Sequence, residues 1–206
     1  MTDVAAMTRA ERVTLLAELE GLTDDQWSTM TVCAPWTVRH LVAHMTALGN
    51  QTVPHFMTGL IGSGFSFDKF VNKDLARFNQ GSNADVLARF AKTVEHPTSV
   101  PGLKYVSLGE IMCHGEDIRR SIARKGDHPA EHLVLLADRY RRSGPPLNGK
   151  KRVAGLRLRA TDVDWAFGDG PEVAGPAMDL ILAISGRVDA LGSCTGDGVA
   201  ALRSRC

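Results

Sequence analysis

Glu110 and His114 have the residue types and the spacing of a metal-ligand pair. Residues four apart on an α-helix project from one face, about one turn apart. A carboxylate and an imidazole together suit zinc and other borderline divalent ions. His44, which lies among the apolar residues Leu41 and Leu48, is the candidate third ligand. Three protein ligands leave one coordination position open, which is typical of catalytic rather than structural sites.

The spacing of these residues also leaves other interpretations open. A Glu and a His four apart are often a surface pair, and a histidine on an apolar face is often a hydrogen-bonded core residue. Asp117, three residues after His114, is either a partner of that ligand or an ordinary acid on the helix surface. His40, one turn before His44, either lines the cavity or has a core or capping role.

Helices must position these side chains, because apolar residues recur at helical spacing through the first two-thirds of the chain. Thr37 is a candidate N-cap for the helix that carries His44. Long antiparallel helices with modest connections predict a four-helix bundle with extra helices. The predicted helices span residues 3–21, 37–60, 67–79, 84–95, 107–124 and 129–142, with a short one around Trp27.

The pattern changes at residues 143–152, a basic stretch rich in Pro and Gly that is typical of a linker. Residues 156–160 and 163–167 alternate with period two, which predicts two strands joined by a tight turn. A helix is predicted over 177–185, followed in the tail by a strand and a last helix. We therefore predict a helical domain over 1–146 and a small α/β domain over 147–206. The second is too small to have much of a core alone, so it should pack on the first.

The composition excludes several classes of function. The formal net charge of +1 argues against binding to nucleic acid or to an anionic membrane surface. No apolar run approaches the length of a bilayer span. The first residues lack the layout of a signal peptide, so a cytoplasmic location with free thiols is expected. The cysteines form no C-x-x-C pair that would indicate a zinc ribbon or a redox motif: Cys33, Cys113, Cys194 and Cys206.

Several segments resemble signatures of the mycothiol-dependent maleylpyruvate isomerase family. Residues 33–44, C-A-P-W-T-V-R-H-L-V-A-H, resemble its C-P-G-W-T-V-R-D-L-V-A-H signature. Residues 109–120 resemble its second signature, E-x-x-x-H-G-x-D-x-x-R, and residues 67–72 resemble the D-x-x-N helix between the two. Residues 153–187 look like the small C-terminal α/β domain of the family. The resemblance therefore extends along nearly the whole chain.

This resemblance implies a mainly α fold, in which a DinB-like metal-binding four-helix bundle precedes the small α/β domain. The metal ligands of the family fall on His44, Glu110 and His114, and zinc is the expected ion. His40 stands where the family usually has an acid, which removes no ligand. The family also uses an arginine of its C-terminal domain, for which Arg187 is the best candidate. Alternatively, Arg187 is simply an arginine at a helix C-terminus, where the helix dipole favours a positive charge.

The implied activity is a metal-dependent reaction in which mycothiol is the co-substrate and its thiolate attacks an electrophile. The reaction is either cis–trans isomerisation of maleylpyruvate or mycothiol S-transfer, with small molecules as partners of a monomer or homodimer. Arg119 and Arg120 are further candidates for binding a substrate carboxylate, although Arg120 can also pair with Glu116. The alternatives are a non-catalytic bundle that binds or senses a divalent metal and, least favoured, a metal-dependent hydrolase.

Overall fold

The computed structural model describes residues 3–95 and 104–206, which form a mainly α protein with a small sheet. The chain divides into two compact units, Met1–Gly126 and Asp127–Cys206. No helix in the described ranges is long and apolar enough to span a bilayer.

In the described part of the first unit, α1, α3, α6 and α7 pack on one another as a bundle, and α5 packs beside α3. Each bundle helix contributes large side chains that are fully buried, among them Leu15, Leu41, Phe90 and Met112. Burial of each such side chain stabilises the fold by about 1.5–3 kcal/mol. The helices are α1 (Val4–Glu20), α2 (Asp24–Trp27), α3 (Val38–Gly49), α4 (Val53–Gly62), α5 (Phe67–Phe78), α6 (Asn83–Glu95) and α7 (Lys104–Ser121).

The single helix predicted over 37–60 is wrong, because the structure ends α3 at Gly49 and begins α4 at Val53. Pro54 lies in the first turn of α4, and Thr52 caps that helix by accepting a hydrogen bond from the His55 amide. Proline has no amide hydrogen, and its ring clashes with the carbonyl four residues earlier in a continuous helix. The chain therefore stops one helix and starts another, and His44 lies within the shorter α3.

The second unit combines helices with a sheet whose strand order is β2-β1-β3 in the described residues. The hairpin of β1 and β2 is antiparallel, as the alternating pattern predicted, whereas β3 runs parallel to β1. Its elements are α8 (Ala130–Tyr140), α9 (Gly149–Arg152), β1 (Arg157–Ala160), β2 (Ala166–Phe167), β3 (Glu172–Gly175), α10 (Ala177–Ile184), a 3-10 helix (Val188–Ser193) and α11 (Val199–Arg203).

Three features of this unit differ from the predicted arrangement. The short strand β3 was not predicted, because its Glu-Val-Ala-Gly sequence carries little strand signal. The tail forms the 3-10 helix and an isolated bridge from Thr195 to Ala174 in place of the predicted strand. The unit also begins at Asp127 rather than at residue 147, because α8 packs on α10 and so belongs to it. The stretch predicted as an interdomain linker therefore lies inside the second unit.

Candidate metal centre

The structure brings His44, Glu110 and His114 together in the first unit. The Glu110 Oε2 atom lies 3.4 Å from His44 Nε2 and 3.1 Å from His114 Nε2. One possible ligand atom from each residue lies within 4.8 Å of those of the other two. The side chains of the two histidines are 11% and 13% exposed and that of Glu110 is 31% exposed, so the cluster is largely buried but remains open to a small ligand.

Packing of α3 on α7 positions these three side chains. Leu41 and Val42 of α3, and Met112 of α7, are completely buried in the core of the bundle. Glu110 and His114 lie one turn apart on α7, so their side chains point the same way. His44 supplies the third possible ligand atom from the facing helix.

The start of α3 is set by Thr37 and His40. The Thr37 amide donates to His40 Nδ1 at 3.2 Å, and the Thr37 hydroxyl lies 2.7 Å from the same nitrogen. His40 thus satisfies a backbone donor that the helix itself cannot pair. Burial and the neighbouring charge of Arg39 lower the pKa of His40, which favours the neutral imidazole that can accept this bond. Of its predicted roles, the structure assigns His40 the capping one.

The ring nitrogen of His114 that points away from Glu110 contacts Asp117. His114 Nδ1 lies 2.9 Å from Asp117 Oδ2, and the Asp117 side chain is only 1% exposed. Asp117 is therefore a buried partner of His114 and not a surface acid. A histidine that donates one ring N–H to a carboxylate presents its other nitrogen as a lone pair, the arrangement common at metal ligands.

The neighbours of Glu110 and His114 shift the pKa of both side chains in the metal-free cluster. Burial alone would raise the pKa of Glu110, but hydrogen bonds and charge from His114 and His44 hold that pKa well below its usual range. Burial alone would lower the pKa of His114, but contacts with Asp117, Cys33 and Glu110 raise it well above its usual value. Two imidazole nitrogens and a carboxylate oxygen are a donor set that suits zinc and similar divalent ions. The residues present therefore fit such an ion.

The three arginines predicted to bind substrate or assist the reaction make other contacts in the structure. Arg119 is 3% exposed and pairs with Glu18 and Glu116, while Arg120 pairs with Glu116. The pairing of both with buried Glu116 supports the ion-pair interpretation over the substrate-binding one. Arg187 lies in the second unit, just before its 3-10 helix, and donates to the Ser185 hydroxyl at 2.8 Å.

The sequence did not indicate the place of Cys33. Its Sγ atom lies 3.3 Å from Asp117 Oδ2 and 3.9 Å from His114 Nδ1. Cys33, His114 and Asp117 form a second group whose ligand atoms lie within 4.8 Å of one another. Cys33 precedes α3 and the other two lie on α7, far along the chain, so no local spacing could reveal the contact. Cys113, the residue before His114 on α7, is a buried thiol with 3% exposure.

The fold and the cluster define a mainly α protein whose helical bundle carries a candidate metal centre. Residues 8–99 match the family model described as the mycothiol maleylpyruvate isomerase N-terminal domain, a match that contains His44 and ends before α7. These residues are similar to that domain, and the resemblance predicted from the sequence is confirmed.

Solved structures with the same fold include a mycothiol-dependent maleylpyruvate isomerase, with a TM-score of 0.65 at 16% identity. A histidine-to-alanine mutant of a mycothiol-dependent maleylpyruvate isomerase has a TM-score of 0.64 at 15% identity. Each comparison covers 94% of this chain and 91% of the other, so the mainly α fold is shared over nearly the full length. No curated protein sequence matches the chain.

Proposed function

We propose that this protein is a metal- and mycothiol-dependent enzyme that activates a low-molecular-weight thiol for attack on an electrophile. The observation that carries the proposal is the convergence of His44, Glu110 and His114 in a bundle whose first part matches the mycothiol maleylpyruvate isomerase N-terminal domain. The reaction is either isomerisation of maleylpyruvate or S-transfer of mycothiol to another electrophile. We expect it to take place in the cytoplasm on small molecules.

His44, Glu110 and His114 would hold the ion, for which we propose zinc. A bound divalent ion supplies positive charge that lowers the pKa of a nearby thiol and so provides the nucleophilic thiolate at neutral pH. Glu110 would offset part of the ionic charge. Asp117 would keep His114 in the tautomer with Nε2 free, and Trp36, whose ring centroid lies 4.9 Å from that of His44, would shield one side of the cluster.

The two reactions share the thiolate and differ in the electrophile. In the isomerisation, the thiolate sulfur adds to one carbon of the cis double bond, and the π electron pair moves onto the conjugated carbonyl as an enolate. Rotation about the resulting carbon–carbon single bond follows. Breaking the carbon–sulfur bond then restores the double bond as trans and returns the thiolate, giving fumarylpyruvate. In S-transfer the thiolate displaces a leaving group such as chloride, or adds to a double bond whose carbon then takes up a proton, and the new carbon–sulfur bond remains in the product. We propose that Arg187 is the arginine of the second unit that assists the reaction.

Metal analysis tests the candidate centre directly. Purified protein should contain about one equivalent of zinc or a similar ion, and His44→Ala should abolish it. His55→Ala is the matched control, because His55 pairs with Asp74 and belongs to neither metal-ligand group found in the described residues. Protein that holds no metal, and binds none when zinc is added, would contradict the proposal.

A thiol screen tests the reaction. Zinc-loaded protein is assayed with mycothiol and with glutathione, against maleylpyruvate and against chlorodinitrobenzene or a bimane. We expect turnover that requires mycothiol and is lost in His44→Ala. Arg187→Ala should reduce turnover at unchanged metal content, whereas Arg203→Ala on the exposed surface should not. Zinc binding without mycothiol-dependent turnover would favour the non-catalytic metal-binding alternative.

A further inference from the structure

The segment Cys33–Trp36, which precedes α3, contacts both candidate histidine ligands. The Trp36 ring is tilted by 44° against His44, and Cys33 Sγ lies 3.9 Å from His114 Nδ1. Hydrogen bonds within the loop keep this segment in place, because the Thr31 hydroxyl donates to the Trp36 carbonyl and accepts from the Cys33 amide. The segment before α3 therefore lies against the candidate metal centre through Cys33 and Trp36.

The Cys33 thiol and the imidazole of His114 both face the same oxygen of Asp117. Asp117 Oδ2 lies 3.3 Å from Cys33 Sγ and 2.9 Å from His114 Nδ1. The carboxylate is 1% exposed, and a buried carboxylate is costly unless donors surround it. A thiol S–H directed at Oδ2 is one such donor, and it restricts where that oxygen can lie.

We infer that Cys33 is a positioning residue for the metal centre. Its thiol donates to Asp117 and keeps Oδ2 where it accepts the Nδ1 hydrogen of His114, so that His114 Nε2 faces Glu110 and His44. The inference rests on the metal site of the proposed function, and it is independent of which reaction that site catalyses.

Direct ligation by Cys33 is the competing role, since Cys33, His114 and Asp117 also form a compact group. In that case His114 Nδ1 would have to bind one ion while His114 Nε2 bound another with His44 and Glu110. The imidazole ring would then lose both of its N–H protons. The 2.9 Å separation of Nδ1 and Asp117 Oδ2 is instead an ordinary charge-assisted hydrogen-bond distance. The geometry thus favours the positioning role.

The test measures zinc affinity by competition with a chelating dye, with no thiol substrate present. Cys33→Ala should weaken zinc binding about tenfold, the low end of the range for residues that orient a metal ligand. Cys33→Ser, which keeps a donor, should restore most of the affinity. Cys194→Ala in the second unit is the matched control and should leave the affinity unchanged. The urea midpoints of the metal-free variants should stay close to that of the wild type, because a thiol is only a weak hydrogen-bond donor. This separates positioning from a general effect on the fold.

A double-mutant cycle establishes whether Cys33 acts through Asp117. In an Asp117→Ala background, or Asp117→Asn if the alanine variant does not fold, Cys33→Ala should cause no further loss. An equal loss in both backgrounds, or no loss in either, would overturn the inference while leaving the metal site intact. With Co²⁺ in place of zinc, a thiolate-to-cobalt charge-transfer band that Cys33→Ala removes would overturn it in favour of direct ligation. Wild-type protein that binds no metal would overturn the metal site itself.

Discussion

Glu110 carries the negative charge among the three candidate ligands. Its Oε2 atom faces both His44 and His114, and these imidazoles hold its pKa well below the usual range. The charged form is therefore the one present at neutral pH. This negative charge is what distinguishes the cluster from a purely imidazole site, and it should dominate the attraction for a divalent ion.

The first prediction concerns this charge. Glu110→Gln keeps the size of the side chain but removes the negative charge, so we expect zinc affinity to fall roughly a hundredfold or more, beyond the loss typical of an outer partner. Competition with a chelating dye measures the change. Glu131→Gln, at an exposed position of α8, should leave the affinity as it is. Wild-type affinity in Glu110→Gln would show that the carboxylate is not a ligand.

At the scale of elements, a buried ion-pair network joins α7 to α1. Arg119 Nε lies 2.7 Å from Glu18 Oε2, and Arg119 Nη1 lies 3.4 Å from Glu116 Oε1. The same Glu116 oxygen accepts a hydrogen bond from the Gly126 amide at 2.6 Å. This network holds the C-terminal part of α7, which carries His114 and Asp117, against the rest of the bundle.

The second prediction is that Arg119→Leu lowers the free energy of unfolding by about 3–5 kcal/mol, because it removes a buried cationic partner from the buried carboxylate of Glu116. Urea unfolding of the metal-free protein measures the change. Arg124→Gln, an exposed arginine beyond the end of α7, should stay within about 0.5 kcal/mol of wild type. A similar value for both variants would contradict a role for the network.

In the second unit, Asp138 of α8 accepts hydrogen bonds from Arg141 and from the ring nitrogen of Trp165, which precedes β2. Burial alone would raise the pKa of Asp138, but these hydrogen bonds outweigh it and lower the pKa. A carboxyl group whose pKa is lower in the folded state stabilises the protein when it is charged. This contribution is complete at pH values above the unfolded-state pKa of about 3.9. That contribution is lost as the pH falls through the folded-state pKa.

The third prediction follows from the lowered pKa of Asp138. The stability advantage of the wild type over Asp138→Asn should be constant above about pH 5 and should shrink below about pH 4. We expect it to remain below about 1 kcal/mol, because the Asp138 side chain is 40% exposed and solvent screens the pair. Urea midpoints from pH 6 to pH 3 measure it. Asp164→Asn, an exposed acid of the same unit, should show no such pH dependence.

At the scale of the whole molecule, the candidate metal centre lies entirely within the first unit, and its proposed ligands come from two packed helices, α3 and α7. An ion bound to both helices binds the folded unit and not the unfolded chain. Binding must therefore stabilise that unit in proportion to the logarithm of the ion concentration.

The fourth prediction is that a chelator lowers the thermal midpoint of the wild type. An ion at about a hundredfold excess over its Kd stabilises by about 2.7 kcal/mol, which corresponds to a shift of about 5–11 °C for a chain of this size. Differential scanning calorimetry, with and without zinc, measures the shift. His44→Ala should melt at the same temperature in both conditions. A chelator shift that persists in His44→Ala would indicate a different ion site.

Sequence reasoning predicted most helices of the bundle, because their periodicity and caps are local signals. It missed the break between α3 and α4 at Pro54, where the proline should have ended the helix despite the apolar residues on both sides. It also missed β3, whose four residues pair with a strand fifteen positions earlier in the register from Arg157 to Glu172. Pairing over such a separation leaves no periodic trace in a strand this short.

The sequence by itself indicated the three candidate ligands and the relative placement of two of them, because Glu110 and His114 are one helical turn apart in the chain. Only the tertiary structure decided that His44 faces this pair and that Asp117 is buried behind His114. The tertiary structure alone placed Cys33 against His114 and Asp117, and it alone assigned α8 to the second unit. These outcomes depend on the packing of elements far apart in the chain, and the energy of such packing is not encoded in any single stretch of residues.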